Sequence, residues 1–182
     1  MQHRGASEAT QARILEAAVN AFAANSYDAV SLRRIARDVG IDVALVHRSF
    51  GSKEGLFVAV MDHVFCDSHA SVRSEENLAD SFTDVLFERK DTPAPNVKRL
   101  KIVLHSFSNA TAKSIIKDRL ETNMLAPLRE RLQEPKRQRA AVLMGLMLGS
   151  VILRNLLEID GLVDDDGEAE AMIREVIETL AR

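Results

Sequence analysis

Arg33, Arg34, Arg37, His47, Arg48 and Lys53 fall within one short stretch of the chain. Guanidinium forks, an imidazole and an ammonium are the groups that hold phosphate oxygens, so the chemistry offered there is recognition of a polyanion. A second constellation, Asp62, Cys66 and His69, has the residue types and the four- and three-residue spacing of metal ligands on one helix stripe. That stripe lies opposite the apolar residues of its helix, and a solvated surface accounts for it more simply, so no metal is expected. His105, Asn109 and Asn123 are polar groups set in apolar stretches, where they could orient a small molecule. The chain has no glycine-rich phosphate loop, no G-x-S-x-G elbow and no H-E-x-x-H pair, which argues against an enzyme.

The cations need elements to position them. From Thr10 to Ala24, Ile14, Leu15, Ala18 and Phe22 recur at helical spacing, giving a first helix with one buried face. It is expected to close near Asn25 and Ser26, with Asn in the left-handed conformation. Ser31 offers an N-cap hydroxyl to a short second helix, with Leu32, Ile35, Ala36 and Val39 inward and Arg33, Arg34 and Arg37 outward. Gly40 stops that helix, Ile41 fills the space between helices, and Asp42 caps a third, V-A-L-V-H-R-S-F. This is helix-turn-helix spacing over about residues 31–50. The third helix can enter a major groove with Asp42, Val43, Ala44, His47 and Arg48 as base or phosphate contacts.

The run S-L-R-R-I-A-R-D-V-G-I-D-V-A-L-V-H-R-S-F-G-S-K-E-G-L-F resembles the N-terminal domain of the TetR family of regulators, over about Glu8 to His69. The resemblance implies that Ser31 touches phosphate at the start of the second helix, His47 from the third and Lys53 at the start of the fourth, helix N-termini with free N–H groups also favouring an anion. Arg33 and Arg48 are further DNA candidates. Two positions depart from the family pattern: tyrosine is usual where this chain has His47, and glycine where it has Ser26. Histidine still donates to phosphate, with a shorter reach and a charge that changes between pH 5 and 8.

Beyond Ser52 the pattern stays helical. A fourth helix carries Leu56, Phe57, Val60, Met61, Val64 and Phe65 on its apolar face and links the two domains. Helices follow over Asn77–Glu88, Val97–Asn109 and Thr111–Gln133, the last interrupted at Pro127, with a loop at Asp91–Asn96. Met61, Phe82, Leu104, His105, Phe107, Met124 and Met144 are the candidate lining of a pocket for a small, largely apolar effector. No other cofactor is expected. On Arg137–Ile159, Ala141, Gly145 and Gly149 recur every four residues, a spacing that lets two backbones approach, within the chain or between two copies. With Ile173 and Ile177 on a last helix, Glu168–Leu180, they form the candidate interface of a homodimer. The resemblance implies the same arrangement, and a two-fold dimer implies a palindromic operator.

The expected fold is therefore all-α and TetR-like. A three-helix helix-turn-helix domain at residues 8–68 precedes an effector-binding and dimerisation bundle at 69–182. The 182 residues carry a net charge of −3, but residues 1–55 hold seven Lys/Arg against six Asp/Glu, so the acid sits in the second part. Cys66 is the single cysteine, so no internal disulfide forms. No leader pattern is seen, and the apolar run Ala140–Leu153 is shorter than a membrane span and reads as a buried helix. Together these point to the cytoplasm, with no membrane partner. The function expected is that of a ligand-responsive DNA-binding transcriptional regulator, and a repressor. The alternative is a helical protein-interaction module that has lost DNA binding, which would lack the steep salt dependence of true DNA binding.

Overall fold

Segments rich in alanine, leucine, arginine and glutamate form helix and no strand among the described residues. The computed structural model describes residues 2–73, 77–87, 95–163 and 167–182, and their side chains except at 2–7, 66–73 and 95–96. The helices are α1 (Gln2–Ala24), α2 (Leu32–Val39), α3 (Val43–Phe50), α4 (Lys53–Arg73) and α5 (Leu78–Phe87). They continue as α6 (Pro95–Ser106), α7 (Ala110–Leu120), α8 (Ala126–Glu130), α9 (Lys136–Val151) and α10 (Glu168–Ala181). A π-turn at Glu121–Leu125 joins α7 to α8, and a second at Ile152–Leu156 prolongs α9. The first has a local cause: Pro127 brings no N–H to the ladder, and the Ala126 N–H reaches back five residues to Glu121 instead.

The chain divides into two compact units that do not follow chain order. The first comprises residues 1–65 and 98–119. Its core is made by Ile14, Ala18 and Phe22 of α1, Ile35 and Ala36 of α2, Val46 of α3, and Leu56, Phe57, Val60 and Met61 of α4. Phe22, Tyr27 and Phe57 form an aromatic cluster with ring centroids 4.9 to 5.8 Å apart. The α6–α7 hairpin adds Leu100, Ile102, Ala112 and Ile116. Three polar contacts tie it down. Lys98 Nζ donates to Asn20 Oδ1 at 2.9 Å, Asn109 Nδ2 donates to Asp28 Oδ1 at 2.8 Å, and Arg119 Nε pairs with Asp62 Oδ1 at 2.9 Å. Asn109 also caps α7 by accepting from the Ala112 N–H at 3.0 Å. In chain order this hairpin falls within residues 69–182, and by contacts it groups with the N-terminal helices.

The second unit comprises residues 66–97 and 120–182. Here α5 packs along α10, with Leu78, Phe82 and Leu86 against Ala169, Ile173 and Ile177, and Leu128, Leu143 and Met144 complete the core. Arg174 of α10 bridges to Asp80 and donates to Thr83 Oγ1 at 2.9 Å. Arg139 Nη1 donates to the Leu180 carbonyl at 2.9 Å, satisfying an acceptor at the end of α10. Arg154 donates to the carbonyls of Leu86 (3.1 Å) and Leu162 (2.9 Å), and its guanidinium lies 4.8 Å from the Phe87 ring centroid.

Two expectations about these helices change. Helix α1 ends at Ala24 as the pattern suggests, but Asn25 is not left-handed; its side-chain amide donates to the Ala21 carbonyl at 2.8 Å and closes the helix that way. The apolar run around α9 is not simply buried. Lys136–Leu156 spans 21 residues, enough by length and composition alone to cross a membrane, and 33% of that window is buried within the unit. Its other side is exposed. The loop expected at Asp91–Asn96 lies largely outside the described residues.

Candidate nucleic-acid interface

Each of the three helices that carry the candidate DNA contacts is set by a local device. Ser31 has extended backbone (φ −129°, ψ 149°) and its Oγ accepts from the Arg34 N–H at 3.3 Å, so α2 begins where an exposed hydroxyl remains able to donate outward. At the other end Gly40 adopts φ 76°, its N–H reaching the Arg37 carbonyl (3.1 Å) and the Ile41 N–H reaching Ala36 (2.9 Å). This paired closure requires a left-handed residue, which only glycine takes cheaply. Arg13 of α1 adds a cap, its Nη2 donating to the Val39 carbonyl at 2.8 Å. The basic side chain of α1 thus serves α2 rather than a ligand.

Asp42 then starts α3, Oδ1 accepting from the Ala44 N–H at 2.6 Å. Its carboxylate sits where an anion would be drawn to the helix terminus. Val46 is fully buried, Val43 is half-buried, and Ala44, His47 and Arg48 are exposed. The imidazole of His47 is held 3.0 Å from the Gly51 carbonyl through Nδ1. A carbonyl only accepts, so Nδ1 carries a proton, and Nε2 donates to a phosphate only when the ring is the imidazolium. Gly51 has φ 74° and ψ −69°, a γ-turn in which the Ser52 N–H reaches the Phe50 carbonyl at 2.9 Å. That turn joins α3 to α4 without an intervening loop.

At the start of α4, Ser52 Oγ accepts from the Gly55 N–H at 3.0 Å. The Lys53 ammonium lies 4.3 Å from the Tyr27 ring centroid and 3.5 Å from the Asp28 carbonyl. Burial holds its pKa below the usual lysine value, against the opposing pull of Asp28 and Glu54. Burial, reinforced by the Glu54 carboxylate, pushes the Tyr27 phenol up to about 12. Glu54 itself is held below the usual carboxylate value, chiefly by its own backbone N–H and then by the Ser52 hydroxyl.

Ser31, Arg33, Asp42, Val43, Ala44, His47, Arg48 and Lys53 therefore all belong to the first unit, and none is buried. Arg33 and Arg37 are exposed on α2, while Arg34 is drawn toward Asn25 (3.3 Å) and Asp38 (3.9 Å). Tyr27 was missed in the sequence; as the single tyrosine it stood out, but its ring under Lys53 depends on the tertiary fold.

The candidate effector residues are divided between the two units. Met61, Leu104, His105 and Phe107 lie in the first unit, and Phe82, Met124 and Met144 in the second. Met61, Phe82 and Met144 are packed in the cores, whereas Leu104, His105 and Phe107 are exposed. An open depression in the second unit, lined by Arg129, Glu130, Glu134, Lys136 and Arg137 among others, is polar and includes none of them. Among the described residues no group of three or more His, Cys, Asp or Glu is placed to hold a metal ion. Asp62 pairs with Arg119, and the side chains of Cys66 and His69 lie outside the described residues.

Of the candidate interface residues, Ile173 is 8% exposed and Ile177 fully buried within their own unit. On the same helix Met172 and Val176 are 65% and 45% exposed.

Two family models match the chain: that of bacterial regulatory proteins, tetR family, over residues 14–60, and that of the tetracyclin repressor-like C-terminal domain over residues 55–182. The chain belongs to the TetR family. It is thus a transcriptional regulator with a DNA-binding helix-turn-helix, α2 and α3. Solved structures share the TetR fold. A TerR/AcrR-family transcriptional regulator from Aquifex aeolicus VF5 matches with TM-score 0.67 at 15% identity, covering 94% of this chain and 99% of that one. The multidrug binding protein EbrR, complexed with malachite green, matches with TM-score 0.65 at 19% identity over 94% and 98%. NalD of Pseudomonas aeruginosa matches with TM-score 0.61 at 18% identity over 96% of each chain. No curated protein matches the chain.

Proposed function

We propose that this TetR-family regulator is a cytoplasmic repressor that binds a palindromic operator as a homodimer and releases it when a small, largely apolar effector binds. In this reading residues 8–68 read DNA and residues 69–182 hold the effector and the dimer interface. Ser31, His47 and Lys53 hold phosphates, joined by Arg33. Val43, Ala44 and Arg48 face base edges, and Asp42 fixes the start of the reading helix.

The observation that carries the dimer is the exposed apolar side of α9 and α10. Val142, Leu148, Leu153 and Leu156 are exposed on the α9 run, together with Ala141 and Gly145. A Cβ added at Gly145 or at Gly149 would meet nothing within 4 Å. Packing among the described residues therefore gives no reason for either glycine, and close approach of a second copy does. Met172 and Val176 extend the same apolar character onto α10, where Ile173 and Ile177 do not.

Effector response is supported by the fold shared with EbrR, a multidrug binding protein solved with malachite green, and repression by the fold shared with NalD, the secondary repressor of a multidrug efflux pump. The effector acts through its differential affinity for DNA-competent and DNA-incompetent conformers.

The test is selection of bound sequences from random duplexes at two salt concentrations, with the mass of the complex measured alongside. An inverted repeat, bound by two chains and weakened steeply by salt, is the expected result. A single half-site bound by one chain would refute the dimer. Absence of any enrichment by folded protein would refute operator reading.

A further inference from the structure

Lys53 is not a free surface lysine. Its ammonium stands 4.3 Å from the centroid of the Tyr27 ring and 3.5 Å from the Asp28 carbonyl, and it is partly withdrawn from water. The ring beneath it is itself immobilised. Tyr27 is 4% exposed, stacks on Phe22 at 5.8 Å and meets Phe57 edge-on at 5.0 Å. Its hydroxyl makes no hydrogen bond of ordinary geometry, with the Glu54 carboxylate near it, and it is the ring that the side chain turns to Lys53.

From this geometry we infer that Tyr27 is a positioning residue for DNA binding. Its ring face holds the Lys53 ammonium, through a cation–π contact, in the place from which it meets a phosphate. An unrestrained lysine has four rotatable bonds to order when it binds and a full hydration shell to shed. One already seated on an aromatic face has lost part of both before DNA arrives, and the phosphate contact is correspondingly tighter. Asp28 accepts from Lys53 through its carbonyl; its carboxylate, hydrogen-bonded to Asn109, and that of Glu54 act on the ammonium by charge alone. The inference rests on the phosphate role proposed above for Lys53.

The test keeps the shape of the side chain and changes its charge distribution. The full-length protein is prepared with Tyr27→Phe and with pentafluorophenylalanine at position 27, each with Lys53 intact and with Lys53→Gln. Affinity for a random-sequence duplex is measured across a salt series, and helix content and thermal midpoint are checked for each variant. Lys53→Gln weakens binding and lowers the salt slope by about one phosphate contact. Tyr27→Phe, which keeps the electron-rich face, stays within about twofold of the parent. The pentafluoro ring, whose face no longer attracts a cation, weakens binding by about two- to tenfold with Lys53 present and not at all with Lys53→Gln. An equal loss in both backgrounds would make Tyr27 a packing residue only, and no loss in either would overturn the inference while leaving the phosphate role standing. If Lys53→Gln itself leaves affinity and salt slope unchanged, the phosphate role falls and the inference with it.

Discussion

Adjacent residues of α10 separate the chain's own core from its proposed interface. Ile177 is fully buried, whereas Val176 is 45% exposed with Met172 (65%) a turn before it. Ile177→Ala removes a side chain from a packed site and leaves a cavity, at a cost of about 2–5 kcal/mol. That is a sizeable part of the roughly 5–15 kcal/mol that holds a typical domain. Val176→Asp exposes its carboxylate to water in a single chain and costs about 0.5 kcal/mol or less there. In a dimer closed over α9 and α10, the same carboxylate is buried without a partner. Dissociation by about 3 kcal/mol or more, over a hundredfold, then follows. The assay is urea unfolding at high protein concentration together with sedimentation equilibrium. Ile177→Ala is expected to lower the unfolding midpoint and remain associated at concentrations where it is folded, and Val176→Asp to sediment as folded single chains. If Val176→Asp stays dimeric, the interface is elsewhere; if Ile177→Ala leaves stability unchanged, the burial argument for α10 is wrong.

Three further outcomes follow from local geometry. Tyr27 is the only tyrosine and tryptophan is absent, so phenolate absorbance near 295 nm reports this residue alone. With the folded pKa raised to about 12 against about 10 unfolded, the folded state holds the proton more tightly. Stability is therefore intact below pH 10 and declines as pH rises, by on the order of 2 kcal/mol by pH 12; a midpoint near 10 with helix content intact would contradict this. Arg154→Ala, which strips donors from the Leu86 and Leu162 carbonyls, is expected to cost about 2 kcal/mol in denaturant unfolding. Arg154→Lys should not restore it, because one ammonium lacks the fork that spans both acceptors. Gly40→Ala has no steric obstacle but must hold φ 76°, costing about 1–2 kcal/mol, with Gly40→Asn milder; equal midpoints for all three residues would show that the turn does not need a left-handed residue.

The helix-turn-helix was legible because its signals are local. Ser31, Gly40 and Asp42 act within four residues of themselves, and each occupies the cap or turn its type favours. What escaped the sequence depends on which surface a helix meets. In α10, Ala171, Ile173, Val176, Ile177 and Leu180 are all apolar, and periodicity cannot tell the stripe that enters the chain's own core from the one left for a partner. The α6–α7 hairpin shows the same limit in another form. Its apolar positions were read correctly as helix, but Lys98, Asn109 and Arg119 find Asn20, Asp28 and Asp62 far away in sequence, partners that periodicity cannot name. The asparagine after α1 gave the right boundary for another reason, since its amide reaches back to Ala21 instead of reversing the backbone.

The wide turns at Glu121–Leu125 and Ile152–Leu156 bear on how the length of this chain can vary. Each contains one residue more than an α-helical ladder would use across the same span. Deleting one residue elsewhere in a helix turns everything beyond it by about 100° and trades its inward and outward faces. Deleting one residue within Ile152–Leu156 instead lets the ladder of α9 close in ordinary α-helical register. These two segments are where sequences of this fold can gain or lose a single position without rethreading a helix, and where an alignment gap is to be expected.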